Sequence, residues 1–245
     1  MENSQGSVVE GPQFTAGGVL SRTLDILKKN IAVFFVLSAV AIFPPLIIMA
    51  LVPPSMGAIA ISSIVSMILA LTVQGAMAYA VYRSLCGDTA SLGESVQRGM
   101  ARFIPLFLAA LLSGLGIGIG SMLLLIPGII LTCMWAVVIP ACVVEGLGPV
   151  QSLSRSAELT KGYRMTIFGL ALVYYLLVFG INYLLVVVVE DMTVTAATPL
   201  IINLVNGFLL LVPETIYLVM LVVIYYMLRV AKEGVGVDKL ANVFD

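Results

Sequence analysis

The sequence predicts an all-α integral membrane protein: six transmembrane helices in three parallel repeats, each an interfacial amphipathic helix followed by two spans, packed as a pseudo-threefold bundle. Three observations predict it. The 245 residues are 61% hydrophobic and 10% charged, with a mean hydropathy of +1.14, whereas soluble domains are about half apolar and a quarter charged. The apolar residues fall in runs long enough to cross a bilayer, which takes about 20 residues because the hydrocarbon core is about 30 Å thick and a helix rises about 1.5 Å per residue. Finally, the polar segments that precede alternate runs repeat one another's pattern.

Residues 1–13 are polar, rich in Gly and Ser, and read as a disordered tail. The membrane domain is predicted over 14–228, as repeats over 14–83, 89–145 and 148–228, with a charged cytoplasmic tail at 229–245. In the first repeat, Leu20, Leu24, Leu27 and Ile31 recur at helical spacing with Arg22, Asp25, Lys28 and Lys29 between them, the pattern of an interfacial amphipathic helix. Span 1 covers about 31–52, with Pro44-Pro45 kinking or breaking it and Pro53-Pro54 closing it; span 2 covers about 58–82.

The second repeat opens on an amphipathic stretch with Leu92, Val96, Met100 and Phe103 on one face. The apolar block at 103–145 is then too long for one span and long enough for two; its turn lies either in the glycine run at 114–120 or at Pro127-Gly128. The third repeat has its amphipathic segment at 146–164, span 5 at about 165–189, the acidic pair Glu190-Asp191, and span 6 at about 199–228. That last span is long enough to be tilted, kinked at Pro213 or partly outside the core.

All twelve Lys and Arg fall on the side of the termini and none in the opposite loops. By the positive-inside rule both termini are cytoplasmic and the protein is a multi-pass inner-membrane protein. No secretory signal is expected, because the first apolar run begins only near Ile31 and is too long for a signal segment. The repeat itself rests on a shift of 133 residues, which sets residues 20–28 (LSRTLDILK) on 153–161 (LSRSAELTK) with four of nine positions identical. On a consistent offset Leu92 joins Leu20 and Leu153, Ser95 joins Thr23 and Ser156, and Phe107 joins Phe35 and Phe168. Units holding an even number of spans enter from the same side, which makes the repeats parallel.

The chemistry on offer is narrow. With no histidine, Ser-His-Asp and Cys-His catalysis and His-ligated zinc are excluded. A formal charge of -1 supplies no basic face for nucleic acid, and no cofactor motif occurs. The odd count of cysteines, Cys86, Cys133 and Cys142, argues against a disulfide framework. The Gly114/Gly118 and Gly116/Gly120 pairs suit close helix packing or a turn rather than a phosphate loop.

Glu214 is the sharpest single residue. It lies about halfway along span 6 directly after Pro213, at a depth where an ionised carboxylate costs about 2.5 to 3.5 kcal/mol. It is therefore expected to be protonated or paired inside the bundle. Asn203, Asn206, Asn182 and Gln74 are candidate polar companions. The site reads either as a substrate, ion or proton site or as an interhelical hydrogen bond that stabilises a kink. Arg22, Lys28, Arg98, Arg102, Arg155, Lys161 and Arg164 are candidate contacts for anionic lipid headgroups, which gain about 1 kcal/mol per basic group near an anionic surface. Topology anchoring accounts for them equally well, and Glu145 is placed to pair with Arg155 across the turn.

Residues 127–131 (PGIIL), Trp135, Pro140, Glu145-Gly146, 155–162 (RSAELTKG) and 225–234 (YYMLRVAKEG) together resemble the six-span family typified by the membrane domain attached to some glycerophosphoryl diester phosphodiesterases, and by related stand-alone inner-membrane proteins. The resemblance covers about residues 20–243 and implies a fold and a lipid context. The soluble phosphodiesterase domain is missing from this sequence, and Met227 stands where members often carry a polar residue. The expected function is a non-catalytic membrane protein that binds or transports a lipidic or amphipathic small molecule. The alternative is a structural or regulatory scaffold whose amphipathic helices dock a partner protein. Membrane lipids are the expected partners, with a protein partner or a homo-oligomer as further candidates.

Overall fold

A computed structural model describes residues 14–52, 55–191 and 199–234, with side chains for all of these except residues 184–203. The expectations for residues 1–13, for Pro53-Pro54, for the Glu190-Asp191 side chains and for residues 235–245 lie outside what is described. Ten helices follow in order among the described residues: α1 (Ala16–Lys29), α2 (Ile31–Leu51), α3 (Met56–Leu85), α4 (Leu92–Ala101), α5 (Phe103–Leu123), α6 (Leu125–Met134), α7 (Val138–Val144), α8 (Pro149–Thr160), α9 (Arg164–Asp191) and α10 (Pro199–Glu233). Six segments are long and apolar enough to cross a membrane: α2, α3, α5, α6 with α7, α9, and α10 from Leu204. The protein is an all-α, multi-pass membrane protein.

Local chemistry sets the helix starts. Thr15, Ser55 and Ser91 cap α1, α3 and α4, each side-chain oxygen accepting from a backbone N–H three residues on, those of Gly18, Ala58 and Glu94. Pro149 opens α8 where its missing N–H costs nothing. Short helices precede the long pairs α2–α3 and α9–α10, whereas between α4 and α8 the long α5 is followed by the two shorter helices α6 and α7, and hydrogen bonds tie one end of the bundle together. Asn30 Nδ2 donates to Ser84 Oγ at 2.8 Å and Arg102 Nη1 to the Gly146 carbonyl at 2.9 Å.

Several sequence expectations need correction. The helix over 31–51 is continuous through Pro44-Pro45, so that pair does not break it; α10 is likewise continuous through Pro213. The helix also runs on to Glu233, which places the start of the expected tail at 229 inside α10. The turn between the third and fourth spans lies at Leu124, between the two predicted positions, with Met122, Leu123, Leu124, Leu125 and Ile126 exposed around it. The flanking glycines then serve the hairpin's packing. A Cβ on Gly116 would meet the Trp135 ring at 2.5 Å and one on Gly128 would meet the Ser121 backbone at 2.9 Å, while Gly114 and Gly118 face open space.

The fourth span is broken at residues 135–137, which the uninterrupted apolar run conceals. Pro140 accounts for the break, since its ring crowds the carbonyl four residues back and it has no N–H to give. The exposed backbone is satisfied from α8. Ser156 Oγ and Thr160 Oγ1 reach the Met134 carbonyl at 2.9 and 3.1 Å, and the Val137 N–H reaches Ser156 Oγ at 3.3 Å.

The short helices pack through a face that includes small and hydroxylated residues. In α1 the buried residues are Val19, Thr23, Ile26 and Leu27, while Leu20, Leu24 and, at the start of α2, Ile31 are exposed. In α4 they are Ser95 and Gly99, with Leu92 and Met100 exposed, and in α8 they are Ser152, Ser156, Leu159 and Thr160. Small and hydroxylated residues let these helices approach closely: a Cβ on Gly99 would lie 2.8 Å from the Ala76 nitrogen of α3. The buried hydroxyls are not orphans. Thr23 Oγ1 donates to the Val19 carbonyl at 2.7 Å and Ser95 Oγ to that of Ser91 at 2.8 Å.

Candidate functional site

Three polar residues of the membrane spans, Ser66, Gln74 and Glu214, face one cavity. A cavity of about 290 Å³ lies between α2, α3 and α10, with Ala41 and Pro45 on the first, Ser66 and Gln74 on the second, and Leu210 and Glu214 on the third among its lining residues. Two of its walls carry proline. Pro44 and Pro45 withdraw the helical donors of the Val40 and Ala41 carbonyls, and Pro213 withdraws that of Leu209. Nearby, the Pro45 carbonyl accepts from Ser62 Oγ at 3.2 Å.

Glu214 is half-buried in this cavity, and no hydrogen bond or ion pair engages its carboxyl among the described residues. Gln74 faces the same space from α3. One turn before Ala41 and Ile42 on α2, Ser38 is completely buried and its hydroxyl has no hydrogen-bond partner among the described residues. The cavity thus combines a carboxyl, an amide and apolar walls, beside an unsatisfied hydroxyl and without a basic lining residue.

The other predicted companions of Glu214 are not brought to it. Asn182 is exposed on α9 and donates to the Val178 carbonyl of its own helix at 2.8 Å. Asn206 is exposed on α10, and the side chain of Asn203 lies outside those described.

The candidate headgroup residues divide. Arg98 and Arg102 line a second cavity of about 220 Å³ with Tyr79, Val144, Glu145 and Gly146. Here the Arg98 guanidinium lies 5.5 Å from the centre of the Tyr79 ring, and the Tyr79 hydroxyl donates to Glu94. Gly146, at φ +67°, is required twice over, by its backbone and because a Cβ would lie 2.6 Å from Arg102 Nη2. Arg22, Lys28 and Lys161 are exposed, and Arg164 is half-buried with its Nε unpartnered.

Arg155 belongs to neither cavity, because it is held by carboxylates. Its Nε donates to both Glu145 oxygens at 2.9 Å, the pairing the sequence anticipated, and its Nη2 pairs with Glu233. Burial alone would weaken the Arg155 guanidinium's hold on its proton; the hydrogen bonds it donates to Glu233 and Glu145 reverse this and raise it above its ordinary value. The network continues beyond what sequence reasoning reached. Arg229 Nε donates to Glu233 at 2.9 Å, the Tyr225 hydroxyl donates to Glu145 at 2.7 Å, and Arg229 Nη1 lies 3.4 Å from the hydroxyls of Tyr82 and Tyr225. Two arginines together with Glu145 and Glu233, and with the exposed Glu158 3.8 Å from Arg155 at the edge, therefore close a charged cluster joining the end of α7 to α8, α10 and α3. The only sequence signal for the distal half was the i, i+4 spacing of Arg229 and Glu233.

Each of the three cysteines is a free thiol. No protein-family model, no curated protein and no solved structure matches this chain, and the chemistry of its two cavities rests on the residues that line them.

Proposed function

We propose that this protein is a non-catalytic membrane protein that binds or moves an amphipathic small molecule through the α2/α3/α10 cavity, seated in a cytoplasmic membrane with both termini inside. The observation that carries the reading is the placement of Glu214 and Gln74 on one otherwise apolar cavity within the spans. A polar pair in apolar walls orients a molecule that has a polar head and an apolar body. The proline-interrupted walls fit the same reading, since helices that bind within a membrane commonly free backbone groups at the site. Arg98 and Arg102 supply contacts for anionic headgroups at the terminal end.

The same reading takes the chain as three parallel repeats within the six-span family its motifs resemble. Supporting the repeat, Thr23, Ser95 and Ser156 are all buried and all have their hydroxyls bonded to backbone carbonyls. A second reading, a scaffold that docks a partner protein, is favoured by Leu20 and Leu24, which stand 43% and 52% exposed on α1.

Native mass spectrometry of the purified protein tests the first reading. A bound amphiphile is expected on the wild type and is expected to be lost when Ala70→Phe fills the cavity. Retention of the same ligand by Ala70→Phe and by Ala41→Leu sinks the cavity as the site.

A further inference from the structure

The two cavities differ in charge, and the difference names a ligand class. We infer that the α2/α3/α10 cavity receives the positively charged headgroup of an amphiphile, which enters in exchange for a proton held on Glu214. The inference rests on the proposed binding role of this cavity and specifies what the cavity selects.

Three features point to a cation. Glu214 is the one ionisable residue lining the cavity, and no basic side chain lines it. The elements packed around it add none: α2 contributes apolar residues and prolines, α3 contributes Ser66 and Gln74, and α9 brings Tyr174 and Tyr175 against Tyr217 of α10. An anionic headgroup would find no basic partner in the cavity, with the Gln74 amide and the protonated carboxyl as its only strong donors. Of the three head types, only a cation can take the place of the carboxyl proton and leave the pair neutral.

Size limits what enters. The cavity's 290 Å³ falls at the lower end of the roughly 300–1,000 Å³ that holds a drug-sized molecule. It therefore accepts a headgroup, and the alkyl chain continues past Leu46 and the 41%-exposed Leu210.

The exchange balances. A carboxyl with no cation beside it is kept neutral by apolar surroundings. When a fixed-charge ammonium enters, the carboxyl loses its proton to water and the carboxylate pairs with the ammonium, so one proton leaves for each cation bound. No covalent bond of the ligand forms or breaks.

The experiment uses the full chain in nanodiscs, with empty nanodiscs as the partition control, and three probes that share one chain: octyltrimethylammonium, octanol and octyl sulfonate. The cation is expected to bind with release of one proton, detected by a pH dye, and to bind up to tenfold more tightly per pH unit while the carboxyl is protonated. Glu214→Gln, which keeps the shape, is expected to weaken it at least tenfold and to abolish proton release. Cation binding unchanged in Glu214→Gln overturns the inference, whatever the filled-cavity variants do. Should all three probes bind alike, indifferent to Glu214→Gln yet blocked by Ala41→Leu, the charge preference fails and the cavity's binding role stands. Should none bind, or should binding survive both Ala41→Leu and Ala70→Phe, the cavity's binding role fails as well.

Discussion

The two halves of α3 lie in one continuous helix and obey different rules. Across residues 71–85 nearly every side chain is buried, including Tyr79 and Tyr82; across residues 56–70 only Ala58 and Ser62 are. The same division runs through α10, where residues 218–228 are almost all buried and residues 204–217 bury only Gly207, Leu211 and Thr215. The terminal-side half therefore packs like a soluble core, with α1, α4, α7 and α8 wrapped around it, and the opposite half splays. The physical cause is the solvent. Apolar side chains exposed to hydrocarbon lose nothing, so no hydrophobic force draws spans together there, whereas near water the same groups must be covered. The Glu214 cavity sits at the boundary between the two regimes.

The comparison breaks most sharply at Tyr82. Truncating this fully buried ring with Tyr82→Ala is expected to cost about 3–5 kcal/mol, while Leu177→Ala is expected to change stability by less than about 0.5 kcal/mol. Leu177 is an equally apolar residue, 63% exposed on α9. Thermal unfolding in detergent measures both, and equal losses would dissolve the distinction between the halves.

A smaller loss is expected from Arg155→Met, which removes one partner each from Glu145 and Glu233 and leaves them only Tyr225 and Arg229. Breaking a fully buried pair costs about 3–5 kcal/mol, and since the Arg155 side chain retains 19% exposure, about 2 kcal/mol is expected. The counter-test is Arg155→Met with Glu145→Leu: if the pair is the cause, the double variant recovers part of the loss.

The smallest effects sharpen the picture of the splayed half. Gly128→Ala drives a methyl group into the Ser121 backbone and is expected to cost about 1–3 kcal/mol, whereas Gly118→Ala meets nothing and is expected to be neutral or to gain up to about 1 kcal/mol of helix propensity. Comparing the two by unfolding separates a packed hairpin from a merely adjacent pair of spans.

The number of spans and the Glu145 and Arg155 pairing were legible because each depends on apolar length or on a charge out of place, whereas the polar company expected for Glu214 reduced to Gln74. The inward face of the short helices was not legible. The spacing of Leu20, Leu24 and Ile31 marks an interfacial helix without saying which side chains meet the neighbouring helices; the small and hydroxylated residues do so, while Leu20, Leu24 and Ile31 stay exposed. The break at residues 135–137 was hidden for a related reason, since hydropathy averages over a run and is blind to a missing N–H at Pro140. The Tyr82, Tyr225 and Arg229 arm of the charged cluster joins helices separated by 147 residues in sequence, and no local pattern encodes such a meeting.

The dependence of the broken fourth span on Ser156 and Thr160 has a consequence for biogenesis. The Met134 carbonyl has its hydroxyl partners 22 and 26 residues downstream, so when the α5–α6 hairpin leaves the ribosome its backbone is still incomplete. A nascent chain halted before residue 156 is therefore expected to hold that span against the insertion machinery, and its release into lipid waits for α8 to be made.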